Sequence, residues 1–256
     1  MELLSNSILN TPFNISSAAM LQNIFRILFR SGRSGMEYYY PKNNWHEALI
    51  SPLEKYLLNK NVKIEYKKRL TSFDILENKI NSLNFNNSKI ETDNCLIILA
   101  CPAAEASKLL NGEIESPDEF ESILNIHFKI NTKNISKGIY GVLPPSPVDW
   151  IFVKEGLIST TTSAYRNFDN IDDVKSKIWE IVQKTLNISE DPQKTKVINE
   201  KKATFSCTNS QVSKRPQAKS KYENLLIAGE FTDTNLPSTI EGAAISGKTA
   251  ASLASF

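Results

Sequence analysis

The sequence predicts an α/β protein in which helices and strands alternate around more than one sheet. Three observations predict it. Segments of period-two alternation, such as "NVKIEY" and "ILNIHFKI", read as half-buried strands. The run "CLIILA" (95–100) is apolar at every position, as a strand covered on both faces would be, and is followed at once by Pro102 and a helical "AAEASKLL". Finally, "IDDVKSKIWEIVQKTL" (171–186) sets Val174, Ile178, Ile181, Val182 and Leu186 on one helical stripe, with acids in its first turn that complement the helix dipole.

Taken in order, residues 16–30 ("SSAAMLQNIFRILFR") form an amphipathic helix with Met20, Ile24, Ile27 and Leu28 on one face. Ser16 or Ser17 caps it, and Gly32 and Gly35 break it. Residues 45–59 read as a second helix, with Pro52 near a start or a break. The apolar faces of both predict burial in a core, with a membrane- or substrate-facing role as the alternative. Val62, Ile64 and Tyr66 then share one side of a strand. "RLTSFDIL" and "KINSLNF" are joined by a tight turn at Glu77-Asn78. Further on, Leu124, Ile126, Phe128 and Ile130 lie on one face of a strand. "PPSPVDWIFV" and "GLISTTTSAY" give a loop and two antiparallel strands, and "KATFSC" gives another strand. Residues 208–223 are polar and loop-like.

Composition narrows the class. With 41% hydrophobic and 23% charged residues in 256, the chain can bury a core and is not disordered. A net charge of +2 gives no reason to expect nucleic acid, and Lys67-Lys68-Arg69 reads as solvated surface. Three cysteines without a C-x-x-C argue against a disulfide framework or zinc site and fit a reducing cytoplasm. Two histidines, His46 and His127, leave little material for a metal cluster or a Ser-His-Asp triad, so no metal is expected. The start, "MELLSNSILNTPFN", lacks a basic region followed by an apolar core, which predicts no secretory leader. The longest apolar runs are about ten residues, too short to span a bilayer, which predicts a soluble or peripheral protein.

The chemistry concentrates in "LLIAGEFTDTNLPSTIEGAAISGKTAASLA" (225–254). A short buried strand ends at Gly229, which permits a turn or close backbone approach. Glu230 then sits just past the strand end, where open α/β sheets place ligands and where a carboxylate can accept from sugar-like hydroxyls. Ser238-Thr239-Ile240-Glu241 matches the capping box S-x-x-E, and the amides at that helix start favour electron-rich groups. Thr239, Ala243, Gly247, Ala250 and Ala254 make a stripe of small side chains that permits close approach. The same features also describe a well-capped helix packed closely on a sheet.

That terminal segment resembles the C-terminal flavin motif of the FAD-dependent amine oxidase and phytoene desaturase superfamily, and more narrowly the hydroxysqualene dehydroxylase family, squalene-associated FAD enzymes. "ILNTPFNISSAAMLQNIF", "KYLLNKNVKIEYKKRLTSF", "CLIILACPAAEASKLL", "DWIFVKEGLISTTTSA" and "KKATFSCTNSQVSKRP" resemble successive stretches of that family in the same order. "LNTP" and "DWIF" favour the narrower group. The resemblance implies the C-terminal portion of an FAD/NAD(P)-binding Rossmann-like domain, interleaved with a substrate domain of mixed sheet and helices. The implied division is 1–60 (helical part of the substrate domain), 61–115 (partial FAD-binding domain), 116–220 (substrate domain) and 221–256 (C-terminal FAD-binding strand and helix).

For individual residues the resemblance implies the following roles. Glu230 bonds the ribityl chain of FAD. Thr239 and Ile240 offer amides to the isoalloxazine edge, and Gly229 and Ala243 leave room for the cofactor. The Leu70 backbone meets the adenine, and Ala100, Cys101 and Pro102 pass near the dinucleotide. Trp150, Phe152 and Tyr165 are candidates for lining an isoprenoid tunnel, with core packing as the alternative. The sequence identifies no proton donor for a leaving hydroxyl; Asp149 and Asp233 are weak candidates. The implied reaction is reductive removal of the hydroxyl of hydroxysqualene to give squalene. A carotenoid-type desaturase or amine oxidase, or a non-catalytic remnant or subunit, are the rivals. None of the nine glycines builds a strand–G-x-G-x-x-G–helix unit. A truncated or split chain is therefore expected, completed by a separate N-terminal FAD-binding chain. Its expected location is the cytoplasm, peripheral to the inner face of the membrane.

Overall fold

The computed structural model describes residues 2–37, 39–166 and 170–254. Two helices open the chain, α1 (Glu2–Leu9) and α2 (Ala18–Arg30). The Ser17 side chain caps α2 by accepting from the Met20 amide at 3.4 Å. Met20 and Ile24 are buried, Ile27 and Phe29 are exposed, and Gly32, at φ +59°, follows the helix end.

Residues 46–50 form a turn of π-helix that runs into α3 (Ser51–Asn59). Pro52 lacks the N–H that an α-turn needs there, and the preceding turn is widened, with the Ser51 amide reaching back to the His46 carbonyl. No residue of the π-turn or of α3 is buried, so the expected core face of 45–59 is uncovered: Trp45, Ile50, Leu53 and Leu57 face solvent. The strand expected over Val62, Ile64 and Tyr66 does not form, and Val62 and Tyr66 are exposed. A strand exists only against a partner, and among the described residues none lies beside this segment.

Three sheets follow. β1 (Leu70–Leu76), β2 (Lys79–Phe85) and β3 (Ser88–Glu91) form an antiparallel meander. Its first turn has positive φ at both Glu77 (+48°) and Asn78 (+63°), the geometry a two-residue hairpin prefers. β4 (Ile97–Leu99) pairs in parallel with β10 (Leu225–Ile227). α4 (Ala103–Leu109) leaves β4, and α7 (Ile240–Ala254) follows β10. "CLIILA" is not covered on both faces: only 97–99 is strand, and Ile98 is 44% exposed because the cover over this face rests on Leu226, Ala228 and Ala250 beside it.

The largest sheet has the order β6 (Gly138–Gly141), β7 (Trp150–Lys154), β8 (Leu157–Thr162), β5 (Phe120–Lys129), β9 (Lys194–Phe205), antiparallel throughout. α5 (Ile171–Leu186) covers one face. Leu124, Ile126, Phe128 and Ile130 are all buried against Val174, Ile178, Trp179 and Val182, with the Phe128 and Trp179 rings 4.6 Å apart. The polar segment 208–223 contains a short helix, α6 (Asn209–Ser213), capped by Thr208. A separate apolar cluster joins Leu9, Met20 and Ile24 to Ile80, Leu99, Phe205, Leu225, Ile227 and Phe231, so the first two helices pack with the parallel pair.

Phe128→Ala is expected to cost about 3–5 kcal/mol, as for large aromatic truncations in a filled core; urea unfolding would measure it, and a loss below ~1 kcal/mol would show that α5 does not cover this sheet tightly.

Candidate functional site

Because β4 and β10 are parallel and in register, they end side by side. The Ala228 amide donates to the Leu99 carbonyl at 3.0 Å, the last rung of the ladder. Both chains then turn at the carboxyl edge, so Ala100–Pro102 lies beside Gly229 and Glu230. A Cβ on Gly229 would sit 3.6 Å from the Cys101 carbonyl and 2.5 Å from the Phe231 ring, and φ there is +156°. Only glycine suits that turn without displacement.

The turn is anchored to α7. The Gly229 amide donates to Ser246 Oγ at 2.8 Å, and that hydroxyl donates to the Ala243 carbonyl at 2.6 Å. The helix start differs from the expected capping box. Thr239, not Ser238, is the cap: its Oγ1 accepts from the Gly242 amide at 3.1 Å, and Glu241 is exposed. The register is set by close packing of the first turn, since a Cβ on Gly242 would fall 2.6 Å from the Pro237 carbonyl. The buried stripe is accordingly Gly242, Ser246 and Ala250. Gly247 faces open space, so close packing does not explain it. Ala243 is half-buried, and Thr239 and Ile240 are exposed at the helix tip.

Glu230 is half-buried at the mouth of this turn. Burial raises its carboxyl pKa above the ordinary value, and the charge of Arg215 partly opposes that. Its own backbone N–H also bonds the carboxylate and opposes the rise; among the described residues no other group donates a hydrogen bond to the side chain, which keeps further accepting capacity. Asn23 of α2 reaches over to the loop before α7, its Nδ2 donating to the Asn235 carbonyl at 2.7 Å. Leu70 opens β1 and packs, with Cys101, onto the cluster containing Leu99, Ile227 and Phe231.

Trp150 and Phe152 alternate with buried Ile151 and Val153, which places them on the sheet face opposite α5. Opposite them on β8 stand Thr161 and Ser159. Thr161 donates to Asn125 at 2.8 Å, and Ser159 meets His127 Nδ1 at 2.8 Å. Tyr165 belongs instead to the cluster under α5. It also lines a cavity of about 590 Å³ with Pro147, Asp173 and Lys177, which no residue of the Glu230 turn touches. Asp149 accepts from the Ser163 amide at 2.6 Å, and burial raises its pKa. Asp233 is exposed and accepts from Gln217 at 3.1 Å.

Two residues of this site escaped the sequence reading. Ser246 sat among small residues read as packing. Arg215, in "SKRP", gave no local signal at all.

A carboxylate at the shared ends of parallel strands, next to a capped helix tip, is a dinucleotide-site arrangement. The chain belongs to the flavin-containing amine oxidoreductases: the family's model matches residues 12–254. Within that class it is 32% identical over 253 residues to the hydroxysqualene dehydroxylase of Zymomonas mobilis, covering 97% of this chain and 60% of that protein. It is 30% identical over 244 residues to the hydroxysqualene dehydroxylase of Sinorhizobium fredii, covering 93% and 57%. The chain thus spans about 60% of the first of these relatives and slightly less of the second. The fold matches an oxidoreductase from Methanosarcina mazei (TM-score 0.72, 12% identity, 98% of this chain and 63% of that one). It also matches the PF1083 protein of Pyrococcus furiosus (TM-score 0.64, 16% identity, 98% and 61%). The cofactor class of that family is flavin.

Two glycine substitutions should move stability in opposite directions. Gly229→Ala meets the Phe231 ring and a positive φ and is expected to lower the melting temperature by several degrees. Gly247→Ala, in a helix with open space around it, should stabilise by about 1 kcal/mol. Thermal unfolding of the two variants checks both signs.

Proposed function

We propose that this chain supplies the FAD-gripping turn and the substrate sheet of a hydroxysqualene dehydroxylase, which removes the hydroxyl of hydroxysqualene reductively to give squalene. The observation that carries the reading is the half-buried Glu230 carboxylate at the common end of β4 and β10, with capacity to accept further hydrogen bonds. It stands in a chain whose relatives at this level of identity carry that name. FAD, when bound and reduced by an external electron donor, would supply the hydride. Glu230 accepts from ribityl hydroxyls. Thr239 and Ile240 present backbone N–H groups to the ring edge, and Gly229 and Ala243 leave it room. Leu70 and Ala100 border the dinucleotide. Trp150 and Phe152 offer an apolar, π-rich surface to a long isoprenoid and to positive charge developing on it. No side chain at the turn presents itself as the proton donor for the leaving hydroxyl.

Binding of the pyrophosphate falls to a polypeptide that this chain does not contain, in our reading a separate N-terminal FAD-binding chain. Two features support that. Lys219 bridges to Leu226 along β10, whereas the outer edge of β4 carries no strand among the described residues. Val62, Ile64 and Tyr66 alternate as a strand does yet lie unpaired. Exposed Phe29, Tyr39 and Trp45, interspersed with Arg30, Arg33 and Lys42, support peripheral contact with the inner face of the membrane. Among the described residues no helix is long and apolar enough to cross one.

The test is reconstitution. This chain, co-expressed with the part of the Zymomonas mobilis relative that lies outside the match, should carry FAD near stoichiometry and, given a reductant, convert hydroxysqualene to squalene. Alone it should be at most faintly yellow. A stoichiometric flavin spectrum from the chain alone would remove the need for a partner, and desaturation of phytoene in place of squalene formation would move the assignment to a desaturase.

Glu230→Ala should weaken FAD retention in that preparation. Only the ionised carboxylate accepts from the ribityl hydroxyls at both oxygens, and burial raises its pKa. FAD affinity should therefore fall as pH drops, beginning above the ordinary carboxylate range. In Glu230→Gln the affinity should be lower and flat over the same window; an unchanged slope would assign the titration to another group.

A further inference from the structure

Arg215 lies between α6 and β10 and is only 6% exposed. Its donors converge on one stretch of backbone. Nε donates to the Phe231 carbonyl at 3.4 Å. Nη2 donates to the Glu230 carbonyl at 3.0 Å, to the Thr232 carbonyl, and to Thr234 Oγ1 at 3.2 Å. The guanidinium carbon stands 5.2 Å from the centre of the buried Phe205 ring. No carboxylate touches it; Asp233 and Glu230 act on it only through space. Nη1 is buried and has no partner among the described residues.

This is an unusual place for a charge. Burying a cation costs heavily unless it is paired, and here the pairing is with carbonyl dipoles rather than with a counter-ion. Those carbonyls belong to three successive residues of the turn that follows Gly229. Successive carbonyls diverge in a strand. Here they are gathered toward one point, and a planar cation with several donors is the group that can satisfy them together. Three of the four acceptors are met by Nη2 and the fourth, the Phe231 carbonyl between them, by Nε, so a side chain with donors on one atom only would lose the second point of attachment that fixes the plane of the clamp.

We propose that Arg215 is the positioning residue of the cofactor site. It gathers the carbonyls of Glu230, Phe231 and Thr232, fixes the turn against the Phe205 ring, and so sets the direction in which the Glu230 carboxylate leaves the turn. The proposal rests on the FAD reading for what that carboxylate grips, but the clamp itself is a property of this chain. Its positive charge also opposes the effect of burial on Glu230 and favours the accepting, ionised form.

The experiment compares the full chain with Arg215→Ala and Arg215→Lys by amide hydrogen exchange, without cofactor. The same three proteins are then titrated with FAD in the reconstituted enzyme. In Arg215→Ala, amides of residues 229–236 should exchange at least about tenfold faster, the loss expected when one charge-assisted bond of the cluster is broken. Amides of β5 and α5 should be unchanged. FAD affinity should fall by about tenfold or more, in line with the lost orientation. Low-millimolar guanidinium should restore both turn protection and FAD affinity to Arg215→Ala, and Arg215→Lys should restore neither. Equal protection of the turn in Arg215→Ala overturns the clamp. So does full recovery by lysine, which would show that charge alone suffices, and so does loss of protection across the whole chain, which would make Arg215 a general folding residue. If wild type takes up FAD and Arg215→Ala does so equally well, the positioning role falls and the functional reading stands. If wild type takes up none, the functional reading falls and the exchange result still decides the clamp.

Discussion

The parallel pairing of β4 with β10 is the constraint on which the site depends. It consists of only three residue pairs, Ile97 with Leu225, Ile98 with Leu226 and Leu99 with Ile227. Its partners lie far apart in the chain, so closing it costs loop entropy that so short a ladder cannot offset by its own hydrogen bonds. The offset comes from burial on both sides of β10. Leu225 and Ile227 enter the cluster with Leu9, Met20, Ile24 and Phe205, while Leu226 and Ala228 pack with Ala250 of α7. Because the strands run the same way, their carboxyl ends coincide, and Ala100 and Glu230 meet. An antiparallel pairing of the same residues would have sent them to opposite edges.

The five-stranded sheet is held to this unit by hydrogen bonds around the end of α1, and they involve the two stretches that favoured the narrower family in the sequence. In "LNTP", Asn10 donates to Thr204 Oγ1 at 2.9 Å and accepts from the Ala164 amide at 2.6 Å. Thr11 Oγ1 accepts from the Cys207 amide at 2.7 Å. In "DWIF", Trp150 donates to Ser7 Oγ at 2.7 Å and Asp149 accepts from Ser163. Asn10 adopts φ +46°, a conformation asparagine tolerates better than most residues. These residues join α1 to the ends of β8 and β9, so the face bearing Trp150 and Phe152 is fixed relative to the helix that packs with the parallel pair. Their chemistry is that of a joint. Asp149, engaged by the Ser163 amide, serves that joint.

How much of this was legible depends on where the forces act. β5 and α5 bury one face against each other within this chain, and the alternation of Leu124 to Ile130 and the stripe from Val174 to Val182 record that directly. The Glu77-Asn78 turn is likewise local, because two residues with positive φ decide it. The helix cap was misplaced by one residue because its register is set by the contact of Gly242 with the Pro237 carbonyl, a packing fact that the pattern S-x-x-E does not contain. The small-residue stripe is right at Ala250 and Ala254, which pack against Leu226 and Ala228, and wrong at Gly247, which faces open space. Val62, Ile64 and Tyr66 carry a strand pattern without a strand, since pattern describes a surface to be covered and pairing needs a second chain segment. Arg215 was invisible because its acceptors are carbonyls, which every residue has.

The uncovered parts and the finished parts of the molecule are distributed in a way that bears on the site. Everything needed to aim Glu230 is internal: Gly229 for the turn, Ser246 for its anchor, Arg215 for its carbonyls and Phe205 beneath them. What lies open among the described residues is the 45–59 helical stretch with no buried residue in Ser51–Asn59, the 61–66 segment outside any strand, and the free edge of β4, where Ile98 is exposed. A two-stranded parallel sheet with one free edge is marginal by itself, because parallel strands are normally flanked and covered on both faces. A strand added parallel to β4 would end at the same carboxyl edge as Ala100 and Glu230, whereas an antiparallel one would end at the opposite edge.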